Sequence, residues 1–585
     1  MKKIKISILT VMLCLNYIIR CNRSDSFEQG DYSSLKKYMT RFINEKMKKN
    51  QIIGLSLALV DDQKIVWTEG FGFADKENKI QATDKTVYKT GSISKLFTAV
   101  AALKLASQNM IDLNKPIKTY IPNFHIKSRF KNSDPITIHH LMTHHSGIPL
   151  VQYSSLQESN QKKLSDIIEE LNSIYSVFPP NYKYLYSNLG VDLLGLVVEK
   201  VSGMNFNEFM KQHVFQDLDM NYSSFEEIKE NHKLLSKEYQ QGKPVPPFHW
   251  PRVWPSGSLY SSAEDIANFI KMILAHGRIK EHQFLEAILV DSMLSPQNKE
   301  IPLDFNFEIG LNWFINHTQH SSLHYSGKVC SHEGGAGATT SSIVILPDHQ
   351  LGVIVLNNSN ESTKLTTEIA DEILIVALEI KKGLRPIKLK QMSKPIFQSP
   401  GKKTEQIVGL YSHGIIGYVE IEKNHFNLLF KGQGRTFKML PNADGFYSIE
   451  NKKMGIMKDF GISVKNINNE MIFIEKRNNS IAALGKMVAK RPIREIWKKR
   501  SGKYVNTKKS NSPQIQITMK DDLLFFNEYI LLPLNDSLAV VQGFNRVICG
   551  ETIVFKKMNG QDVLIHNGKV LKKWNLLNNV LELNN

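Results

Sequence analysis

Past a lysine- and proline-rich stretch at residues 383–404, the chain turns to short alternating strands, and it does so twice in the same order. Val408-Gly409-Leu410-Tyr411 leads to Tyr418-Val419-Glu420-Ile421 and then Met439-Leu440-Pro441-Asn442. Ser501-Gly502-Lys503-Tyr504 leads to Ile515-Gln516-Ile517-Thr518 and then Leu532-Pro533-Leu534-Asn535. Period-two alternation buries one face of each strand, and a unit this short must close its strands around one core. Two small antiparallel β-barrel-like modules are therefore expected at residues 405–488 and 501–585, separated by a linker at 489–500.

The preceding region mixes helices and strands. Residues 33–49 read as an amphipathic helix, and 52–60 with 64–70 as two strands joined at Asp61-Asp62. Residues 257–277 hold a loop and a helix at 263–276 without obvious chemistry, packed on the core, and 363–381 read as a closing helix. The runs at 341–347 and 351–357, separated by Asp348-His349-Gln350, form a strand hairpin. This is an α/β (α+β) domain over about residues 30–382, and the length of 585 residues suits about three domains at ~150–200 residues each.

One junction in this domain carries nucleophile chemistry. Gly91-Ser92-Ile93-Ser94-Lys95 passes from a polar loop into an apolar segment that continues past Leu105. At 3.6 residues per turn, Ser92 and Lys95 share one face of the first helical turn. A desolvated lysine can lose its proton near neutrality and then activate a serine hydroxyl. The same Ser-x-x-Lys string occurs at Ser33, Ser34, Ser128, Ser159 and Ser399, so the string alone leaves a helix cap and a solvated lysine open.

Two further segments bear polar groups in turn-rich settings. Tyr182-Lys183-Tyr184-Leu185-Tyr186-Ser187-Asn188 feeds an apolar helix running to about Val198. Tyr186 suits a phenolate base or proton shuttle, and Asn188 suits a substrate amide. His332-Glu333-Gly334-Gly335 opens the strand hairpin; its glycines let a substrate lie along the backbone, and His332 is expected to donate to a substrate carboxylate or carbonyl. His140 and His144 lie one helical turn apart, but no carboxylate stands at the offset a metal site needs, and a short helix ended by Ser146-Gly147 is the simpler reading.

The net charge of +18 raises nucleic acid as a partner, yet zinc-ligand spacing, a basic heptad helix and an aromatic RNA-binding signature are all missing. Much of the excess lies at residues 381–403 and 486–503, and suits an anionic cell-envelope surface. Met1-Lys2-Lys3-Ile4-Lys5 and the apolar run at 6–19 have the form of an export signal ending near residue 21, too short for a membrane span. Cys21 is a candidate for lipidation, which would attach the chain to a membrane, although Arg20 stands where that pattern wants a small residue. Only Cys330 and Cys549 then remain in the mature fold, and the sequence leaves their pairing open.

Ser92-Ile93-Ser94-Lys95, Tyr186-Ser187-Asn188 and His332-Glu333-Gly334, in this order, resemble the three active-site motifs of the penicillin-recognising serine hydrolases. That family includes class C β-lactamases, D-alanyl-D-alanine carboxypeptidases, D-aminopeptidases and related esterases. The resemblance implies an antiparallel sheet flanked by helices and an acyl-enzyme formed at Ser92. Lys95 and Tyr186 would share the roles of base and acid, with the first proton acceptor undecided. The N–H groups of Ser92 and Gly335 would form the oxyanion hole, and Asn188, His332 and Gly334 would contact substrate. No metal or organic cofactor is implied.

Two departures matter: His332 stands where class C β-lactamases carry lysine, and Ala338 where many relatives carry glycine. His332 and the two β modules resemble the peptidase and esterase branches more. The expected substrate is thus a small molecule or short peptide, with peptidoglycan as a source, met in the periplasm or cell envelope. The competing expectations are a class C-like β-lactamase and a non-catalytic penicillin-binding envelope protein.

Overall fold

The computed structural model describes residues 27–150, 163–230, 232–250, 253–359, 363–385, 406–425, 427–442, 444–451, 455–457, 460–506, 514–544 and 548–574. The expected export signal, Cys21 and most of the stretch at 383–404 lie outside them.

Helix α1 (Tyr32–Asn50) starts at Asp31, whose carboxylate accepts from the Ser33 N–H, and it buries Leu35, Met39, Ile43 and Met47 at four-residue spacing. Strands β1 (Gly54–Asp61) and β2 (Lys64–Asp75) then form a hairpin through Asp62 at φ 53°. They join β3 (Ile80–Gln81), β4 (Glu308–Ile309), β5 (Phe314–Ile315), β6 (Cys330–Ala336), β7 (Thr339–Leu346) and β8 (Leu351–Asn357) in one antiparallel sheet. Its order is β4-β5-β6-β7-β8-β1-β2-β3. The first and last strands of this domain therefore meet inside the sheet, where β1 pairs with both β2 and β8.

Period-two geometry sorts the apolar residues of these strands between two cores. Leu55, Leu57 and Leu59 point to the side covered by α1 and α6 (Thr363–Lys382), whereas Ala58 and Val60 point to the other. There they meet α2 (Ser94–Ser107), α4 (Asn188–Ser202) and α5 (Ala263–Leu274), with the short α3 (Ile138–Met142) beside α4. A sheet covered on both faces has nearly continuous apolar strands, and β1 is buried along all but its last residue.

The second repeat is a closed eight-stranded barrel running from Gly502–Val505 to Lys569–Lys573, in which the first and last strands pair at Tyr504 and Lys573. The first repeat runs from Gly409–His413 to Ser480–Lys486 and nearly closes through the bridge between Tyr411 and Met487. The repeated Gly-x-Tyr has one structural reason in both copies. Tyr411 donates to the Ile407 carbonyl at 2.8 Å and Tyr504 to the Arg500 carbonyl at 2.7 Å, each four residues back and buried, while Gly409 and Gly502 take φ 156° and 148°. Between the barrels, a short helix (Glu495–Lys499) plugs Trp497 into the second core.

Cys330, in β6, and Cys549, in the second barrel, are both buried and neither is in a disulfide, which answers the pairing left open by the sequence. Among the described residues no helix is long and apolar enough to cross a membrane.

Candidate active site

Ser92 lies in a single 3-10 turn (Gly91–Ile93) that runs directly into α2. Gly91 has φ 57°, and a Cβ there would lie 2.5 Å from the Gly335 nitrogen, so only glycine lets this turn touch β6. Ser94 Oγ donates to the Gly91 carbonyl (2.6 Å) and accepts from the Leu259 N–H (3.0 Å), while Ser341 Oγ on β7 donates to the Thr90 carbonyl (2.8 Å). The nucleophile turn is thus stapled to the sheet on one side and to the segment before α5 on the other.

One turn along α2, Lys95 is fully buried, and its Nζ lies 3.1 Å from Ser92 Oγ and 2.7 Å from the Ser256 carbonyl. Burial pushes the amine down to about 7, against the opposing charge of Asp192. Asp192, itself buried in α4, accepts from the Ser256 N–H at 2.9 Å. Pro255 and Ser256, just ahead of the stretch at 257–277, thus supply backbone acceptors to Thr98 and Lys95 of α2. They reach Lys95 because a Cβ at Gly195 would lie only 2.2 Å from Pro255 Cγ, and glycine leaves that space to the proline.

Tyr186 joins this pair from a different loop. The centre of its ring lies 4.8 Å from Lys95 Nζ, 4.5 Å from the centre of the His144 ring and 6.3 Å from that of His332. His144 takes φ 60°, accepts the Leu185 N–H on its carbonyl (2.9 Å) and the Ser187 N–H on Nδ1 (3.1 Å), and so carries the tyrosine between them. Ser187 caps α4 by accepting from the Gly190 N–H (2.9 Å). His140 instead accepts the Thr137 N–H in the capping box of α3. No cluster suited to a metal ion occurs among the described residues.

Asn188, first residue of α4, holds its Oδ1 buried and without a hydrogen-bond partner. His332 is 2% exposed, and its Nδ1 lies 2.7 Å from the Glu333 carbonyl. A carbonyl only accepts, so Nδ1 carries the proton and Nε2 presents a lone pair, buried and unpartnered. Burial, reinforced by Lys95, pushes this imidazole down to about 4 and keeps it neutral. The expected donor is thereby corrected to an acceptor. Gly334 is buried, with a Cβ position 2.0 Å from the Thr90 carbonyl, so it serves the approach of β6 to the nucleophile turn; Gly335 is the exposed glycine beside it.

Behind β6, the fully buried His320 bridges Asp371 of α6 (Nδ1 to Oδ1, 2.5 Å) and Glu333 (Nε2 to Oε1, 2.7 Å). Burial disfavours its charge, but the two carboxylates outweigh that and raise it to about 9. On the other side of the hairpin, Glu238 pairs with Lys89 (2.6 Å) and accepts the Ala338 N–H (2.6 Å), holding the turn that follows the third motif.

The structure thus brings Ser92, Lys95 and Tyr186 together with His332, gives His144 a place beside the tyrosine instead of on a metal, and adds Asp192, Ser256, His320 and Glu238, which had not been singled out in the sequence. Asp192 alone had a local signal, a single acid inside an apolar helix.

The profile of the beta-lactamase family matches residues 39–378, more than half of the chain. The chain belongs to the beta-lactamase family. In family terms it is a penicillin-recognising serine hydrolase. Among curated relatives, it is 27% identical over 332 residues to protein flp of Staphylococcus aureus (strain MW2), covering 54% of this chain and 62% of that protein. It is 24% identical over 350 residues to penicillin-binding protein 4* of Bacillus subtilis (strain 168), covering 56% of this chain and 73% of that protein. The chain thus spans about three-fifths of the length of the flp proteins it matches. Among solved structures, the octameric penicillin-binding protein homologue from Pyrococcus abyssi superposes with a TM-score of 0.51 at 24% identity, covering 77% of this chain and 98% of that one. A beta-lactamase/D-alanine carboxypeptidase from Pseudomonas syringae does so with a TM-score of 0.50 at 20% identity, covering 58% and 98%. At these identities the structural likeness speaks for the fold.

Proposed function

We propose that this protein is an exported serine hydrolase that forms an acyl-enzyme through Ser92 and acts on D-amino-acid peptides, amides or small esters. The observation that carries the reading is the buried Lys95 amine, 3.1 Å from Ser92 Oγ and pushed down to about 7, where a neutral amine is available at physiological pH.

Ser92 Oγ attacks the substrate carbonyl as its proton passes to Lys95 or Tyr186. The N–H groups of Ser92 and Gly335 take the developing oxyanion. The same proton store then protonates the leaving amine or alcohol, and water hydrolyses the ester at Ser92 by the reverse sequence. No step calls on a metal or cofactor.

The unpartnered acceptors His332 Nε2 and Asn188 Oδ1 support the peptide and amide part of this class. A carboxylate beside His332 Nε2 would meet a lone pair, whereas an amide N–H or an amine would pair with it. The second reading, a β-lactamase, draws on the relatives described as a penicillin-binding protein and a beta-lactamase/D-alanine carboxypeptidase. A non-catalytic envelope protein fits less well, since a buried amine held beside a serine is costly to keep without use.

Purified protein should be assayed on D-aminoacyl amides, short esters and nitrocefin in parallel. Turnover of the amides or esters with slow nitrocefin hydrolysis supports the first reading, and the reverse supports the second. Labelling by a fluorophosphonate that persists after Ser92→Ala overturns both. Export and attachment through Cys21 are read from the mass of the mature N-terminus in cell fractions.

A further inference from the structure

The segment at residues 177–185 leads directly into Tyr186 and is gripped from both sides. On its inner side, the Val177 N–H donates to the Gly147 carbonyl (2.8 Å), Asn181 to His145 (3.0 Å), Tyr184 to Asp304 Oδ1 (2.7 Å) and Leu185 to His144 (2.9 Å). On its outer side it meets both barrels. Val177, Phe178 and Leu185 share one buried apolar cluster with Ile472 and Ile474 of the first barrel and Phe544 of the second.

Polar contacts fix the register of this junction. Arg129 Nη1 donates to the Ser176 carbonyl (2.9 Å) and to Thr552 Oγ1 of the second barrel (3.0 Å), while Nη2 donates to the Val177 carbonyl (2.6 Å). Tyr182 donates to Glu470 Oε2 of the first barrel (2.6 Å), whose other oxygen pairs with Lys486 (2.5 Å). Gly550 takes φ 85°, and a Cβ there would stand 2.4 Å from Val177 Cγ1, so the second barrel approaches as closely as a glycine allows.

We propose that the two barrels are the outer clamp of Tyr186: their docking on residues 177–185 sets the position of the phenol relative to Lys95 and makes Arg129, Tyr182 and Glu470 positioning residues for proton transfer. The inference rests on the catalytic role given to Tyr186 above. Its physical basis is that a proton-transfer group must be held closely, whereas a loop without apolar cover opens at little free-energy cost. Of the segment's two faces, one is covered by its own domain and the other by the barrels, so removing the barrel contacts loosens the stretch that ends at the catalytic tyrosine. A gate over the substrate makes a different prediction. It alters selection by size, whereas a clamp alters the chemical step for every substrate alike.

The test uses the full chain with two barrel-side variants, Glu470→Ala and Phe544→Leu. The first changes a half-exposed side chain and keeps the barrel core, so it reports even where the second fails to fold. The measurements are the rate of Ser92 labelling by a small fluorophosphonate, and kcat and KM on one small and one large ester. The clamp predicts that labelling and kcat fall by the same factor, about tenfold or more, with KM within about twofold, and equally for both esters. In a Tyr186→Phe background the same variants should cause no further loss, because they act through the tyrosine. Unchanged labelling, a loss that persists undiminished in that background, or an effect confined to KM of the large ester overturns the clamp. If Tyr186→Phe alone leaves labelling unchanged, the role of Tyr186 fails first and the clamp with it.

Discussion

If Lys95 takes the proton of Ser92, the acylation rate must follow the neutral fraction of that amine. Bringing an amine from 10.5 to about 7 corresponds to about 5 kcal/mol of lost preference for the charged form. Burial supplies it, and the Asp192 carboxylate opposes it. The pH profile of fluorophosphonate labelling should therefore rise through about 7 and level off. At pH 5 about one lysine in a hundred would be neutral, so labelling there should be ~100-fold slower than on the plateau. Asp192→Asn removes the opposing charge while keeping a side-chain oxygen to accept the Ser256 N–H. The rising limb should then move to lower pH. Stopped-flow labelling from pH 4.5 to 9 measures both profiles. A limb that Asp192→Asn leaves in place refutes the electrostatic argument. A rate that falls as pH rises through 7 refutes Lys95 as the base and assigns the first proton to Tyr186 with a charged lysine beside it.

Three shorter predictions follow from neighbouring contacts. Gly195→Ala places a Cβ where Pro255 Cγ now sits at 2.2 Å, so the Ser256 carbonyl must retreat from Lys95; labelling should fall at least tenfold and stability by about 1–3 kcal/mol in urea titrations. His332→Lys exchanges a neutral acceptor for a cationic donor, and should raise kcat/KM for carboxylate-bearing substrates over the matching amides; an unchanged ratio rejects the specificity argument. His320 titrates near 9 in the fold against an ordinary 6.5, so the stability from its pairing is fully present below pH 6.5 and lost as pH rises through 9. Lys95 works in the opposite direction above pH 7, so the readout is the difference between the wild type and His320→Asn. That difference should shrink by about 3 kcal/mol between pH 6.5 and 9.5 in urea titrations, and a constant difference refutes the assignment.

The parts of the site that follow from local geometry were legible in the sequence. Ser92 and Lys95 meet because they are three residues apart at a helix start, and the helices at 33–49 and 363–381 appear within one residue of the bounds expected from periodicity. The groups that tune the site come from far along the chain: the Ser256 carbonyl lies 161 residues from Lys95, and Asp304 is 120 residues from Tyr184. His144 illustrates the limit well. Its spacing from His140 raises a metal site, yet a left-handed backbone turns it towards Tyr186, and a spacing rule holds only while the helix continues.

The order of elements, the nucleophile pair and the tandem barrels were written into the chain itself, because they depend on short-range periodicity and on side-chain alternation. The closed fold alone made His332 an acceptor, desolvated Lys95, left the cysteines unbonded, brought Gly91, Gly195 and Gly550 against their neighbours and set both barrels on the segment leading to Tyr186. Each of those depends on what distant residues place around a group, and burial and hydrogen bonding set its charge state and direction only once the chain has closed around it.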